Sequence, residues 1–318
     1  MLKVLGLRLV RLVATLFAVS VLTFFMTKLL PGDPVNAILP PESARDQATV
    51  DRITEELGLN DPVYVQYANW LGNALTGDLG KSYVTDQPVI DAIKDRVPVT
   101  FELALLATIF ALIIAVPVGT IGAYREGRRI DKITSAGVQT ALSIPNFIVG
   151  IMLIWLLTVK FRFLPSTGWN RITGPKGIFE NFRSALLPSI ALCLTPMAFY
   201  ARLIRADMIG TLKENYVLSA RAKGLKDWYV LLRHALRPSS MSLVTIIGIQ
   251  FGVLLGGTVV IESLFALPGL GARLIAAINQ RDVLMVQGIT LFIATAYVVI
   301  NTAVDMLYLF IDPRIRKA

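Results

Sequence analysis

The sequence predicts an all-α membrane protein of six transmembrane helices with both termini cytoplasmic. Three observations carry this reading. The 318-residue chain is 54% hydrophobic and only 17% charged, with a mean hydropathy of +0.62; soluble domains carry roughly 25% charged residues. Six apolar runs each approach or exceed the roughly 20 residues that cross a bilayer as helix. The segments between them alternate in charge character, apart from one loop discussed below. The net charge of +9 fits basic residues gathered on the cytoplasmic side rather than a nucleic-acid surface.

The first run, Leu9 to Leu30, follows Lys3 and Arg8 and carries Arg11. A signal peptide begins in the same way, but this run is span-length and ends without a small-x-small cleavage site, so it is read as a retained helix. Pro31 to Pro98 is polar and acid-rich, which places it outside. It carries a helical patch, Gln47 to Leu57, with Gly58 as its stop. Val99 to Tyr124 is the second span, bent or loosened at Pro117 and Gly119. A basic turn, Arg125 to Lys132, leads to the third span, Ile133 to Phe161, interrupted at Ser143-Ile144-Pro145-Asn146. Arg162 to Ser184 is the loop out of step, since it is basic yet alternation puts it outside. Moving it inside would delete a span, so alternation prevails. Ala185 to Ile204 is the fourth span, with Pro188 and Pro196. Ser242 to Ile261 is the fifth. Its Gly248, Gly252, Gly256 and Gly257 suit close helix packing. An outer loop, Glu262 to Val286, precedes the sixth span, Gln287 to Ile311, and a basic tail.

Enzyme chemistry finds little support. No G-x-x-x-x-G-K-[ST] phosphate loop is present. Gly269-Leu270-Gly271 lacks a third glycine and a strand context, so it reads as a turn. The sole histidine, His234, sits among Arg233 and Arg237, and the sole cysteine, Cys193, sits in an apolar run. Multi-ligand His or Cys metal sites within the chain are thereby excluded. No metal or catalytic residue is assigned.

The stretch Leu212 to Pro238, LKENYVLSARAKGLKDWYVLLRHALRP, is basic and flanked by spans. Glu214 to Lys223 forms helix readily and Gly224 stops it. Ser219, Ala220, Ala222 and Gly224 are small enough for close approach by another surface. A second helix starts near Asp227. Trp228, Leu231, Leu232, Ala235 and Leu236 fall on one apolar face at i, i+3, i+4, i+7 and i+8. An amphipathic hairpin lying on anionic lipid is the competing reading, but it does not need small residues at the bend.

Ala220-Arg221-Ala222-Lys223-Gly224-Leu225, preceded by Tyr216-Val217, resembles the coupling-loop motif of binding-protein-dependent ABC importer permeases. That family's loop follows a Glu-Ala-Ala-x-x-x-Gly pattern. Ala220 and Gly224 match it, Ser219 replaces the first alanine, and Leu218 stands at the glutamate position. The Ala-Arg-Ala-Lys-Gly-Leu form is similar to the dipeptide/oligopeptide/nickel branch. Leu29-Leu30-Pro31-Gly32-Asp33-Pro34 resembles that branch's B-type subunit. Ser143-Ile144-Pro145, Leu164-Pro165, Arg202 with Arg205, Arg281-Asp282 and Asp312-Pro313-Arg314 are similar to its recurring blocks.

The resemblance implies the type I ABC importer transmembrane fold. Residues 1–98 would form an N-terminal helix with a large external loop, and 99–311 a five-helix permease core with a cytoplasmic coupling loop at 206–238. It implies a transmembrane permease subunit in a bacterial plasma membrane, moving dipeptides or oligopeptides, with nickel or its chelates as the alternative cargo. The implied partners are a homologous C-type permease, two ABC ATPases and an extracytoplasmic solute-binding protein. ATP and Mg would sit on the ATPases, with no cofactor on this chain. Tyr216, Val217, Ser219, Ala220, Arg221, Ala222, Lys223, Gly224 and Leu225 are the implied coupling residues. Ionisable groups in spans are functional candidates by default. Glu102 and Glu262 therefore join Gln139, Asn146, Gln250 and Asn301 as substrate-path candidates. Asp305 joins them, although pairing with a basic residue is its favoured role. A membrane enzyme or a passive channel is the reading from another class.

Overall fold

The computed structural model describes residues 2–28, 51, 54–55, 60–82, 84–172, 174 and 177–311. The expected helix Gln47 to Leu57 falls almost wholly outside these residues, as do the Leu29 to Pro34 block and the tail from Asp312. The described residues form helices joined by turns and by two longer loops within 76–88 and 161–176, and their one β feature is an isolated bridge between Lys81 and Pro88. Four helices are long and apolar enough to cross a membrane, or up to six if each of two bent pairs is one span.

In chain order the helices are α1 Leu2–Lys28, α2 Val63–Leu75, α3 Val89–Tyr124, α4 Arg129–Ser143 and α5 Asn146–Lys160. There follow α6 Gly177–Leu212, α7 Asn215–Ala222, α8 Asp227–Ser239 and α9 Met241–Gly257. The last three are α10 Val259–Leu264, α11 Leu270–Asn279 and α12 Val283–Ile311. The chain divides into two compact units, residues 1–100 with 268–299, and residues 101–267 with 300–318.

In the first unit the start of α3 packs on α11 and the start of α12. Val89, Ala92 and Ile93 meet Leu270, Ala277, Met285, Val286 and Ile289. This burial explains why α3 begins at Val89, ahead of the expected Val99, and runs unbroken through Pro98. The expected outer loop Glu262 to Val286 likewise contains α10 and α11. Ser82 Oγ donates to the buried Asp282 carboxylate at 2.5 Å, and Thr100 Oγ1 accepts from Leu270 N at 2.9 Å. On α1, Ser20 shares a hydrogen bond with Tyr67 of α2, beside a cluster of Phe24, Tyr67 and Trp70 rings. Its outward residues Leu9, Val13 and Phe17 are exposed, as a lipid-facing helix requires.

The second unit is built around α6, which contacts α4, α5, α7, α8, α9 and α10. Two-thirds of its most apolar window is buried, against 17% for α1. Pro188 and Pro196 leave α6 continuous, so it outruns the expected Ala185 to Ile204 at both ends. Pro117 likewise does not interrupt α3. By contrast, α4 and α5 meet at 96°. Ile144, before Pro145, takes extended dihedrals of −94° and 120°, the region to which a following proline drives a residue. The expected single third span is therefore a sharply broken pair.

Small residues set the closest approaches. A Cβ on Gly119 of α3 would lie 2.7 Å from the Ala201 carbonyl oxygen of α6, and a Cβ on Gly248 of α9 would overlap Val304 of α12. Gly248 and Gly252 are buried as their packing role predicts, whereas Gly256 and Gly257 are exposed.

Candidate functional site

The segment between α6 and α9 is a jointed pair of short helices, as the sequence predicts. Glu214, extended at −70° and 144°, precedes α7. Gly224 closes it at φ +78°, with Gly224 N donating to Arg221 O at 2.9 Å and Leu225 N to Ala220 O at 3.4 Å. A left-handed residue after the last turn is the usual glycine-dependent helix stop. Lys226 re-extends the chain before α8.

The register of α8 differs from expectation. Val230–Leu236 winds as a π-helix, whose backbone bonds join residues five apart and whose turn is wider than that of an α-helix. Val230 and Ala235, five apart, are fully buried, while Trp228 and Leu232 are 61% and 53% exposed. The face expected from a 3.6-residue period is thus split, with its Trp228–Leu232 edge outward.

Val217 and Ala220 pack with Val230 against Leu212 and form the joint itself. Tyr216, Leu218, Leu225, Trp228 and Leu232 remain exposed around it. Ser219, Arg221, Ala222, Lys223, Gly224 and Lys226 are exposed too. An apolar patch with a basic rim of this kind marks an interaction surface. Partial burial and the Glu214 carboxylate push the Tyr216 phenol above its usual range. It therefore remains a neutral hydrogen-bond donor at physiological pH. Nothing lies within 4 Å of a Cβ built on Gly224, so the bend projects freely.

Polar ties hold this segment to the turn after α3. Tyr124 Oη donates to Asp227 Oδ2 at 2.7 Å. Lys213 pairs with Glu126 at 3.2 Å. Arg205 grips Asp131 through two bonds of 2.6 and 2.8 Å, and Gly127 N adds a third to the same carboxylate at 2.9 Å. Ser239 donates to Thr211 at 2.9 Å, and Ser242 to Asp207. Sequence reasoning missed these partners. The only signals were an acid, Asp131, within a basic turn and an arginine, Arg205, on an apolar helix.

The substrate-path candidates sit in different local settings. Glu102 is half-buried and accepts from Asn181 at 3.3 Å. Asn146 accepts from Thr195 at 2.9 Å, bonding α5 to α6. Glu262 is fully buried and accepts from Thr258 at 2.9 Å. Gln250 is half-buried, and the Asn301 Oδ1 is buried without a partner. Gln139 is exposed and lines a cavity with Arg202 and Arg205. The Asp305 side chain lies outside the described residues.

Comparison with known proteins places this architecture. Residues 115–317 match the family model described as binding-protein-dependent transport system inner membrane component, and residues 1–104 match its N-terminal counterpart. A protein of Brucella abortus (strain 2308), named as a peptide transport system permease, is 39% identical over 97% of both chains. The glutathione transport system permease protein GsiC of Escherichia coli (strain K12) is 36% identical over 97% of both. Among solved structures, an inward-facing form of the MetNI methionine ABC transporter superposes with a TM-score of 0.54. It is 17% identical and covers 69% of this chain and 96% of that chain, a likeness of fold. The chain is a member of the binding-protein-dependent transport system inner membrane component family, a multi-pass ABC importer permease of the inner membrane.

Proposed function

We propose that the chain moves short peptides inward, with Asn215–Ser239 as the element that receives work from a cytoplasmic ATPase. The carrying observation is the jointed segment itself. Its bend is open, basic and apolar, while its root is buried and tied to α3 and α6. Rotation of such an element by a nucleotide-dependent partner biases the spans between two states, because the partner binds one state better than the other. A lipid-bound hairpin would leave the small-residue bend without a use.

The relatives' names support the cargo class, since peptide and glutathione permeases are both carriers of short peptides. A homologous second permease, two ATPases and a solute-binding protein complete the proposed assembly, with both termini of this chain cytoplasmic. ATP and Mg belong to the ATPases. Within the chain, Glu102, Glu262 and Asn301 are the proposed path contacts, since each is a polar group held at least half-buried, Glu102 and Asn301 in spans and Glu262 in the short α10.

The test is uptake of a labelled dipeptide into proteoliposomes holding the complete transporter, with Gly224→Val beside the unaltered chain. The reading expects ATP-dependent uptake that falls by more than tenfold in the variant while the subunits still co-purify. Uptake that ignores ATP, or a variant that transports normally, overturns it.

A further inference from the structure

We propose that the cavity of about 240 Å³ between α3, α4 and α6 binds the phosphodiester of an anionic phospholipid headgroup, with Arg202 as its cation and Gln139 as its neutral donor. The charge balance of the lining leads there. Arg205 also reaches the cavity, but its charge is taken up by Asp131 through two bonds of 2.6 and 2.8 Å. Thr134 and Ser135 direct their hydroxyl protons to the Ile130 carbonyl and the Asp131 carboxylate. Arg202 has no carboxylate partner among the described residues, and it is exposed at the cavity mouth. The lining therefore carries one uncompensated positive charge. A phosphodiester carries one negative charge and accepts hydrogen bonds from a guanidinium fork and an amide.

The surroundings favour a lipid over a soluble phosphate. Val118, Val138 and Ala201 make the remaining wall apolar. Outside it, Ile121 of α3 is 48% exposed and Ile133 of α4 is 70% exposed, giving an acyl chain a course along the helices. The lining residues sit in the last turns of α3, in the middle of α4 and, on α6, at the end of the expected fourth span Ala185 to Ile204. That is where headgroups and helix termini share a depth.

The experiment is native mass spectrometry of the delipidated, complete transporter. It is titrated separately with phosphatidylglycerol, phosphatidylcholine and sn-glycerol 3-phosphate. The inference expects phosphatidylglycerol to bind in preference to both others. Arg202→Gln should weaken it by roughly fivefold, the worth of one basic residue at a charged membrane surface. Arg202→Lys should retain most of the binding, and Arg129→Gln, an exposed position at the start of α4 that does not line the cavity, should leave it intact. Equal binding of glycerol phosphate makes the site a soluble-phosphate site and overturns the lipid assignment. Equal loss in Arg202→Gln and Arg129→Gln shows diffuse surface attraction, and equal binding of phosphatidylcholine removes the charge argument. Either result ends the proposal. Co-purification of the partner subunits with Arg202→Gln separates a binding loss from a folding loss, and the lysine variant supplies the same test if the glutamine variant does not assemble.

Discussion

The turn Arg125–Arg128 and the bend Lys223–Lys226 belong to the same unit, and each contains a left-handed glycine, Gly127 at φ +76° and Gly224 at φ +78°. They differ in what holds them. The first is clamped: Tyr124, Glu126, Gly127 and Asp131 around it all carry bonds to the coupling segment, to α6 or within the turn. The second is held by the backbone bonds that close α7 and open α8, and its side chains face outward. The difference separates a strut from a contact surface. Under the proposed coupling role, motion given to the bend would reach α3 and α4 through the clamped turn, so the two turns should fail in different ways when altered.

The largest contrast is between the two glycines. Both accept a Cβ without a neighbour within 4 Å, and a side chain at positive φ costs about 1–2 kcal/mol at either. Gly224→Val should nonetheless abolish ATP-dependent uptake, while Gly127→Val should lower thermal stability by a similar amount and retain most uptake. Equal uptake in the two variants erases the distinction. Next is Asp131→Asn. Its side chain is 6% exposed against a one-third exposed Arg205, so removing one partner leaves a poorly compensated charge and costs roughly 3 kcal/mol. Denaturation of the purified complex, followed by melting temperature, should show a clear fall.

Tyr124→Phe removes one bond to a carboxylate, worth roughly 1.5 kcal/mol. The expected result is slower uptake at unchanged ATPase activity, measured side by side, because the strut loosens while the bend still docks. A parallel fall in both activities would place Tyr124 in docking instead. The smallest effect belongs to Glu126→Gln. The Lys213–Glu126 pair is 67% and 46% exposed on its two sides, and such pairs contribute about 0–1 kcal/mol. Uptake and melting temperature should stay near those of the unaltered chain, with any loss disappearing at high salt.

Much of this architecture was legible in the sequence, because span-length apolar runs and the Gly224 stop are local signals. The two-helix shape of the segment followed from helix formers on either side of one glycine. Proline was a poorer guide, since α6 passes Pro188 and Pro196 unbroken whereas Pro145 accompanies a 96° break. At Pro145 the preceding residue is extended and Asn146 is bonded to Thr195, so neighbouring structure decides the outcome. The π-turn of α8 was also hidden, because an amphipathic pattern read at 3.6 residues per turn does not reveal a locally wider turn. The ties of Asp131 to Arg205 and Tyr124 to Asp227 join positions 74 and 103 residues apart, beyond any local pattern.

Docking through the bend is the central claim, and site-directed cross-linking within the assembled transporter tests it most directly. The native thiol Cys193 is buried, so a single added cysteine reports its own surroundings. Lys223→Cys should cross-link to an ATPase subunit, with a yield that changes on adding ATP, while Arg128→Cys in the clamped turn should not. Cross-linking from Arg128→Cys alone, or from neither position in a complex that still transports, would contradict the account.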